Sequence, residues 1–477
     1  MLFSWYNFLD GERLIMAEKK KKKETKKKVK KPKHILGKKE FAFNFISLVC
    51  MIGVGIYFGY RSLYYYSKQN QQIQEEAQTL NGFIIQNSTV VSDEEVGLHH
   101  DSNGYFYKGA VDNNYVLFAN RLFRIIRIQE DNTVRLVLDT YAGVFPWGDP
   151  IAYRDSNVYY WLNHTDWDAS GYYYDTLPSV EEFLVKTEYQ INTLEDGQIR
   201  SGEEKYQDYI SLLDIHDYVM ANGMLSYLNN GKMFFLLGLG QDGRNMYVDE
   251  DGSIQTCDST EGYGVRPVIT LKANTIITGG DGTKTNPFVI YQGDKVNYVG
   301  TYVKLGEDIW QVFYQKDSIL KLSLNGYLYE NGQEKLISYS QNNSIYDIMK
   351  RGNIGNYLNY VYLPSLSYQN VLLPFASYTG EISDDQGYQY SNIYSNQVVS
   401  HVGLLNVFDP IFNDTLTDYY HVNTTSPIGS MEYVTFSNGM LGEGDVRDEK
   451  HIVPVISIDA SGISAGDGSL QNPFIVG

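Results

Sequence analysis

The sequence predicts an α+β protein: one N-terminal transmembrane helix followed by two tandem copies of a mixed, β-rich domain. Three observations carry this. An uncharged apolar run of twenty residues, 41–60, follows a block of lysines. After it, β-branched and aromatic runs alternate with Asn, Asp and Gly turns, which is the pattern of β-hairpins. Finally, three closing motifs recur at offsets of 187, 186 and 186 residues, too regular for coincidence.

The 477 residues carry a net charge of −18, and the average hides an asymmetry. Residues 1–40 hold 14 basic and 5 acidic side chains, which leaves 25 basic against 52 acidic, or −27, on residues 41–477. The basic block is a low-complexity tail with lysines at 19–23, 26–28, 30, 31, 33, 38 and 39, and it is expected to be disordered. Met16 opens the stretch MAEKKKKK and is an alternative start to Met1.

Residues 41–60 read FAFNFISLVCMIGVGIYFGY, with only Asn44 and Ser47 clearly polar. A helix of that length spans about 30 Å, the thickness of the hydrocarbon layer. Tyr57, Phe58, Tyr60 and tyrosines 64–66 form an aromatic belt at its far end. The thirteen tail lysines precede the run and only Arg61 and Lys68 closely follow it, so the positive-inside rule places the N-terminus in the cytoplasm and the C-terminus outside the cell. No small-x-small cleavage site follows, which favours an uncleaved signal-anchor in the cell membrane. Anionic lipid is the expected partner of the lysine tail, ahead of nucleic acid, which is not expected. Gly55 and Gly59, four residues apart, offer a surface for a homodimer of spans.

The expected organisation is a lysine-rich cytoplasmic tail over 1–40, the span over 41–60, a stalk over 61–80, a first extracytoplasmic copy over 81–292 and a second over 296–477. Each copy opens with a strand meander. In the first, the strands begin at Tyr115, Leu122 and Val134; in the second, at Tyr302, Ile309 and Ile319, with Phe123 and Trp310 in equivalent places. A short helix follows, ending in Trp161-Leu162-Asn163 or Tyr357-Leu358-Asn359. Leu212-Leu213-Asp214-Ile215-His216-Asp217 then matches Leu404-Leu405-Asn406-Val407-Phe408-Asp409, with Asp214 or Asn406 placed to cap a helix. Ser179-Val180-Glu181-Glu182 predicts a capping box in the first copy alone. Closing strands run through Val265-Arg266-Pro267-Val268-Ile269 and Ile452-Val453-Pro454-Val455-Ile456. Gly280-Asp281-Gly282-Thr283 with Asn286-Pro287-Phe288 matches Gly466-Asp467-Gly468-Ser469 with Asn472-Pro473-Phe474.

These motifs, from Tyr115 through Arg-Ile-Ile-Arg at 124–127, Trp-Leu-Asn at 161–163 and Gly-Val-Arg-Pro-Val-Ile at 264–269 to Gly-Asp-Gly-Thr-x-x-Asn-Pro at 280–287, resemble a family of Gram-positive surface domains of unknown function. Members often stand behind a transmembrane segment. The resemblance covers residues 98–290 strongly and 298–477 weakly, where Val453 replaces Arg266 and Tyr357 replaces Trp161. The closing strand also looks like the last strand of C-type-lectin-like and formylglycine-enzyme-like domains, which implies a small antiparallel sheet with long loops.

Motifs that suggest catalysis do not survive inspection of their surroundings. Gly462-Ile463-Ser464-Ala465-Gly466 fits a nucleophile elbow, yet the equivalent stretch of the first copy has no serine and a strand follows where a helix is needed. Gly238-x-Gly240-x-x-Gly243 fits a dinucleotide fingerprint, yet a strand follows there too. Asp93, Glu94, Glu95, His99, His100 and Asp101 are dense in metal-ligand types but match no standard spacing. Cys50 and Cys257 lie far apart, so no disulfide is expected, and since the motifs above match no standard site, no cofactor or metal is expected either. Arg266, Asn163, Asn359, Asp281 and Asp467 read as structural residues. Trp161, Tyr172, Tyr173 and Tyr174 are the candidate ligand contacts, since tyrosine is enriched in binding surfaces; the other reading is that tyrosine fills the strands and loops of this domain. The function expected is adhesion, or recognition of an extracellular glycan or protein, without catalysis. A structural part in a membrane-bound envelope complex is the alternative, and a degenerate formylglycine-enzyme-like enzyme is a third.

Overall fold

The computed structural model describes residues 51, 53–65, 79–148, 152–163, 173–177, 179–203, 205–293, 297–342, 344–379, 383–384, 387–388, 396–413, 415–424, 431–435 and 440–477. It divides into two units, residues 1–72 and residues 73–477.

In the first unit, residue 51 and residues 53–65 are helical, with every side chain exposed. A Cβ at Gly55 or Gly59 would meet nothing within 4 Å. Among the described residues no helix is long and apolar enough to cross a membrane; residues 41–50 and 52 of the expected span lie outside them.

The second unit is β-rich with few helices, a mixed α+β fold. Two sheets in it follow one strand order. The first runs Ile210–Leu212, Pro267–Leu271, Val134–Leu138, Arg121–Gln129, Tyr115–Phe118, Phe288–Ile290, Ile277–Gly279. The second runs Val402–Leu404, Pro454–Asp459, Ile319–Leu324, Asp308–Lys316, Tyr302–Leu305, Phe474–Val476, Ile463–Ala465. In each, one pair is parallel, the closing strand on the first meander strand. Register also agrees: Val116 faces Phe123 as Val303 faces Trp310, and Ile269 faces Leu136 as Ile456 faces Leu322. The long strand carries a bulge between Ile125 and Arg127, and again between Val312 and Tyr314.

Local chemistry explains these repeats. Ala119 and Asn120 both take positive φ, 52° and 55°, which matches a tight hairpin to the strand twist. In the closing turn, Asp281 Oδ1 accepts from Thr283 N at 3.0 Å, and Asp467 Oδ1 accepts from Ser469 N at 2.9 Å. Gly280 and Gly466 have φ of 98° and 92°, and a Cβ at either would strike the carbonyl of Pro287 or Pro473. The two other glycine motifs are hairpins: Phe234–Gly240 turns back into Asn245–Val248, and Ser464 lies on an edge strand with its Oγ donating to Ile475 O at 3.2 Å.

A third sheet joins the halves. Its order is Ile254–Cys257, Asn245–Val248, Phe234–Gly240, Gly262–Val265, Leu441–Asp445, Met431–Thr435, Tyr419–Thr424, Glu449–His451, Leu336–Ser338. The crossing is one residue pair, Gly262 with Leu441. A Cβ on Gly262 would lie 3.2 Å from Leu441 Cβ, so the two halves approach closely at this point. The main core lies in the first half, and Val407, Phe408, Ile411 and Leu441 of the second half are packed into it.

Two local expectations change. Ser179 has φ 40° and its side chain makes no cap; Glu182 N donates to the main-chain oxygen of Ser179 instead, so the capping box does not form. Asp214 does cap the helix Ile215–Met220, accepting from Asp217 N at 2.8 Å. Asn406 caps only a turn, accepting from Phe408 N at 3.0 Å. Pro410 follows Asp409 directly, and a residue before proline is turned away from helical backbone, so the second half has no counterpart to that helix.

Candidate functional site

A polar cleft of about 280 Å³ opens between the two halves of residues 73–477. The first half supplies Asn120 and Arg121 from the hairpin turn, Asp139 and Thr140 from the end of the third meander strand, and Lys284 from the closing turn. The second half supplies Gly300, Tyr302, Gln311 and Phe412. A hairpin turn and the closing turn of the first half converge here with strand residues of the second.

Hydrogen bonds across the seam hold the cleft's shape. Asn120 Nδ2 donates to Val299 O at 2.8 Å and to Asn297 O at 3.1 Å. Arg121 Nη2 donates to Ile411 O at 2.6 Å and to Tyr141 O at 3.3 Å, and its guanidinium stacks 4.2 Å from the centre of the Phe412 ring. Within the second half, Gln311 Nε2 donates to Gly300 O at 3.4 Å. Burial raises the Tyr302 phenol, opposed by its hydrogen bond with Gln311.

Asp139 is the acid of the site. Arg124 Nη1 lies 3.5 Å from one of its oxygens and Lys284 Nζ 3.4 Å from the other. Lys284 stays largely exposed at the lip. Behind this pair sits Arg266, fully buried. Its Nε donates to Leu138 O at 3.1 Å, Nη1 to Leu228 O at 2.5 Å and Nη2 to Asp139 O at 3.3 Å. Burial lowers it to about 10; Asp139 opposes the shift and Arg124 adds to it. Arg266 thus ties three main-chain carbonyls together beneath the site and touches none of the open space.

The expected site residues fall as follows. Trp161 and Tyr173 have no exposure at all, and their rings lie 5.6 Å apart in the core, tilted by 32°. Trp161 Nε1 donates to Phe408 O at 2.8 Å, so its polar atom is committed to the second half. Tyr172 and the side chain of Tyr174 lie outside the described residues. Asn163 Nδ2 donates to Ile210 O at 3.0 Å, and Asn359 Nδ2 donates to the equivalent Val402 O at 2.8 Å. The cleft residues Asn120, Thr140, Lys284 and Gln311 were not singled out from sequence. One signal existed: Lys284 stands where the second copy has Leu470, a divergence inside an otherwise matched turn.

Other ionisable groups are taken up in packing. Arg127 forms a bidentate pair with Asp101, at 2.7 and 3.0 Å. His99 Nε2 contacts Glu95 O at 2.9 Å, and Glu95 Oε2 accepts from Ser92 N at 3.0 Å, which disperses the acidic and histidine cluster at 93–101 into turn contacts. Asp214, His216 and Asp217 approach closely enough for a cation. Arg135 already fills the space between the two acids, 3.1 Å from Asp214 and 2.8 Å from Asp217. Burial raises the Asp217 carboxyl against the pull of Arg135. Cys257 is buried, its thiol pushed up to about 12 by desolvation.

No family model, curated protein or solved structure matches the chain.

Proposed function

We propose that this is a single-pass membrane protein, anchored by residues 41–60 with its N-terminus in the cytoplasm, whose outer region binds a glycan at the bacterial envelope without transforming it. In this reading residues 81–292 and 296–477 are diverged copies of one surface domain, of the Gram-positive kind that the closing motifs resemble. Shared strand order, bulges and closing turns support the duplication. The lysine block before the apolar run supports the anchor and its orientation.

The observation that carries the binding role is the cleft. Asn120, Thr140, Lys284 and Gln311 line it together with Tyr302 and Phe412, in about 280 Å³. Apolar faces with a few convergent hydrogen-bonding groups suit a sugar ring, which has both an apolar face and a rim of hydroxyls. The ionisable groups around it are engaged in structural ion pairs and carbonyl clamps, the arrangement of a rigid receptor.

A glycan array probed with the purified full-length chain tests this. Binding to a defined group of glycans is expected, weakened about tenfold by Gln311→Ala and by Lys284→Ala, in line with about 1.4 kcal/mol for a hydrogen bond to ligand, with unfolding temperature unchanged in Lys284→Ala, whose side chain is largely exposed. An array without signal, or binding indifferent to both substitutions, contradicts it.

A further inference from the structure

The cleft carries a positive charge that the fold does not require. Arg124, Arg266 and Lys284 gather around Asp139, the only acid among the described residues that line the cleft. Three cations around one carboxylate leave an excess of two positive charges. Both ion pairs are loose, 3.5 Å from Arg124 and 3.4 Å from Lys284, against about 2.7–2.9 Å for a close charge-assisted bond. The two arginines are buried and fixed by main-chain carbonyls, Arg124 on Val111 O at 2.7 Å and Arg266 on its three. Lys284 is not: its side chain is 63% exposed at the lip, where an ion pair holds weakly and the ammonium can turn from Asp139 to a ligand. The second half shows what the fold needs. There Gln311 stands in the place of Arg124, Asn325 in that of Asp139, Val453 in that of Arg266 and Leu470 in that of Lys284. All four are uncharged, yet strand order and closing turn are the same. The contrast with the surroundings is as sharp, because residues 41–477 carry −27 overall. A positive island in an acidic region draws anions to one place and repels them elsewhere.

We propose that the cleft selects an anionic glycan, one bearing a carboxylate or a phosphate, and that Lys284 is the residue that selects it, an assignment that rests on the glycan reading of this cleft and narrows it. The acid group of the sugar accepts a charge-assisted hydrogen bond from the Lys284 ammonium at the lip. Arg124 and Arg266 supply a fixed positive field behind it. Asp139 keeps Arg124 as its partner, so the ligand takes over Lys284 without leaving a buried carboxylate uncompensated.

A glycan array printed with each sugar in neutral, uronate and phosphorylated form tests it. The full-length chain is used with the thirteen lysines of residues 19–39 changed to glutamine, so that the tail adds nothing to anion binding. Acidic forms are expected to bind at least about tenfold more tightly than their neutral counterparts, and the uronate and phosphate arms show which acid is preferred. Lys284→Glu is expected to weaken the acidic forms about a hundredfold, since like charges then meet, and to remove the preference. Lys284→Arg, which keeps the charge, is expected to keep the preference. Neutral forms bound as tightly as acidic ones, or a preference that survives Lys284→Glu, overturn the acid selection and leave the glycan reading standing. An array without signal in any form contradicts the glycan reading itself, and the acid selection with it.

Discussion

The two halves of residues 73–477 share a chain path and differ in how they use charge. The first half buries five arginines: Arg121, Arg124, Arg127, Arg135 and Arg266. Register places Asp308, Gln311, Tyr314, Lys321 and Val453 at the same five points of the second half. The strand order, both bulges and the closing turn survive all five replacements. Main-chain pairing, turn residues and apolar alternation therefore carry the fold, and the arginines serve local fixtures of the first half: the seam, the cleft and the floor beneath it. One fixture persists in reduced form. Arg135 pairs with Asp214 and Asp217, while Lys321, lowered by burial, is steadied by the charge of Asp409, with Asn406 in the place of the second acid.

The sharpest break in this comparison is at Arg266. Arg266→Val leaves three buried carbonyls without a donor and opens space beneath the cleft, so a loss of about 3 kcal/mol or more is expected in denaturant unfolding. The second half already holds valine there, so Val453→Ala should cost only about 1–2 kcal/mol, the loss of buried methyl groups. A stable Arg266→Val chain would mean that the carbonyls find other partners.

His421, buried in the second half, ranks next. Burial lowers the imidazole to about 4, and its Nε2 contacts Thr435 Oγ1 at 2.8 Å. Between pH 6.5 and about 4 the unfolded chain binds the proton that the folded chain refuses. Stability is therefore complete above pH 6.5 and falls through that window, by on the order of 2–3 kcal/mol. Thermal melts of wild type and His421→Gln between pH 7 and 4.5 should converge as the pH drops. Parallel curves would remove the histidine from the account.

Smaller effects come from the paired asparagines, which make the same bond in both halves. Asn163→Ala should cost about 1 kcal/mol. Asn359→Ala should cost more, about 2 kcal/mol, because Asn359 Oδ1 also accepts from the main-chain N–H groups of His401 and Val402, both at 3.3 Å. Smallest and equal should be Asp281→Ala and Asp467→Ala, on exposed turns with the same Asp-to-amide bond. Unequal values in that last pair would show that the two closing turns bear different loads.

What could be read from sequence was the part that repeats. Meander strands, their turns and the Gly-Asp-Gly closures announce themselves by alternation and by offset, since each is set by residues close in the chain. The seam is different in kind. It joins Trp161 to Phe408 and Arg121 to Ile411, 247 and 290 positions apart, through main-chain carbonyls that carry no sequence signature. Trp161 and Tyr173 looked like ligand contacts because large aromatics serve binding surfaces and buried seams alike. The cleft escaped notice because its members are ordinary polar residues, brought together only when two meanders meet. The capping box at Ser179 failed for a local reason, a left-handed φ that no spacing rule reports.

Hydrogen–deuterium exchange of the full-length chain, with and without the glycan selected on the array, tests the central claim most directly. The account predicts slowed exchange in both halves at once, at residues 119–121, 139–140 and 284 of the first and at 300–302 and 311 of the second. Protection confined to one half, or lying away from these positions, would contradict a binding site built from both.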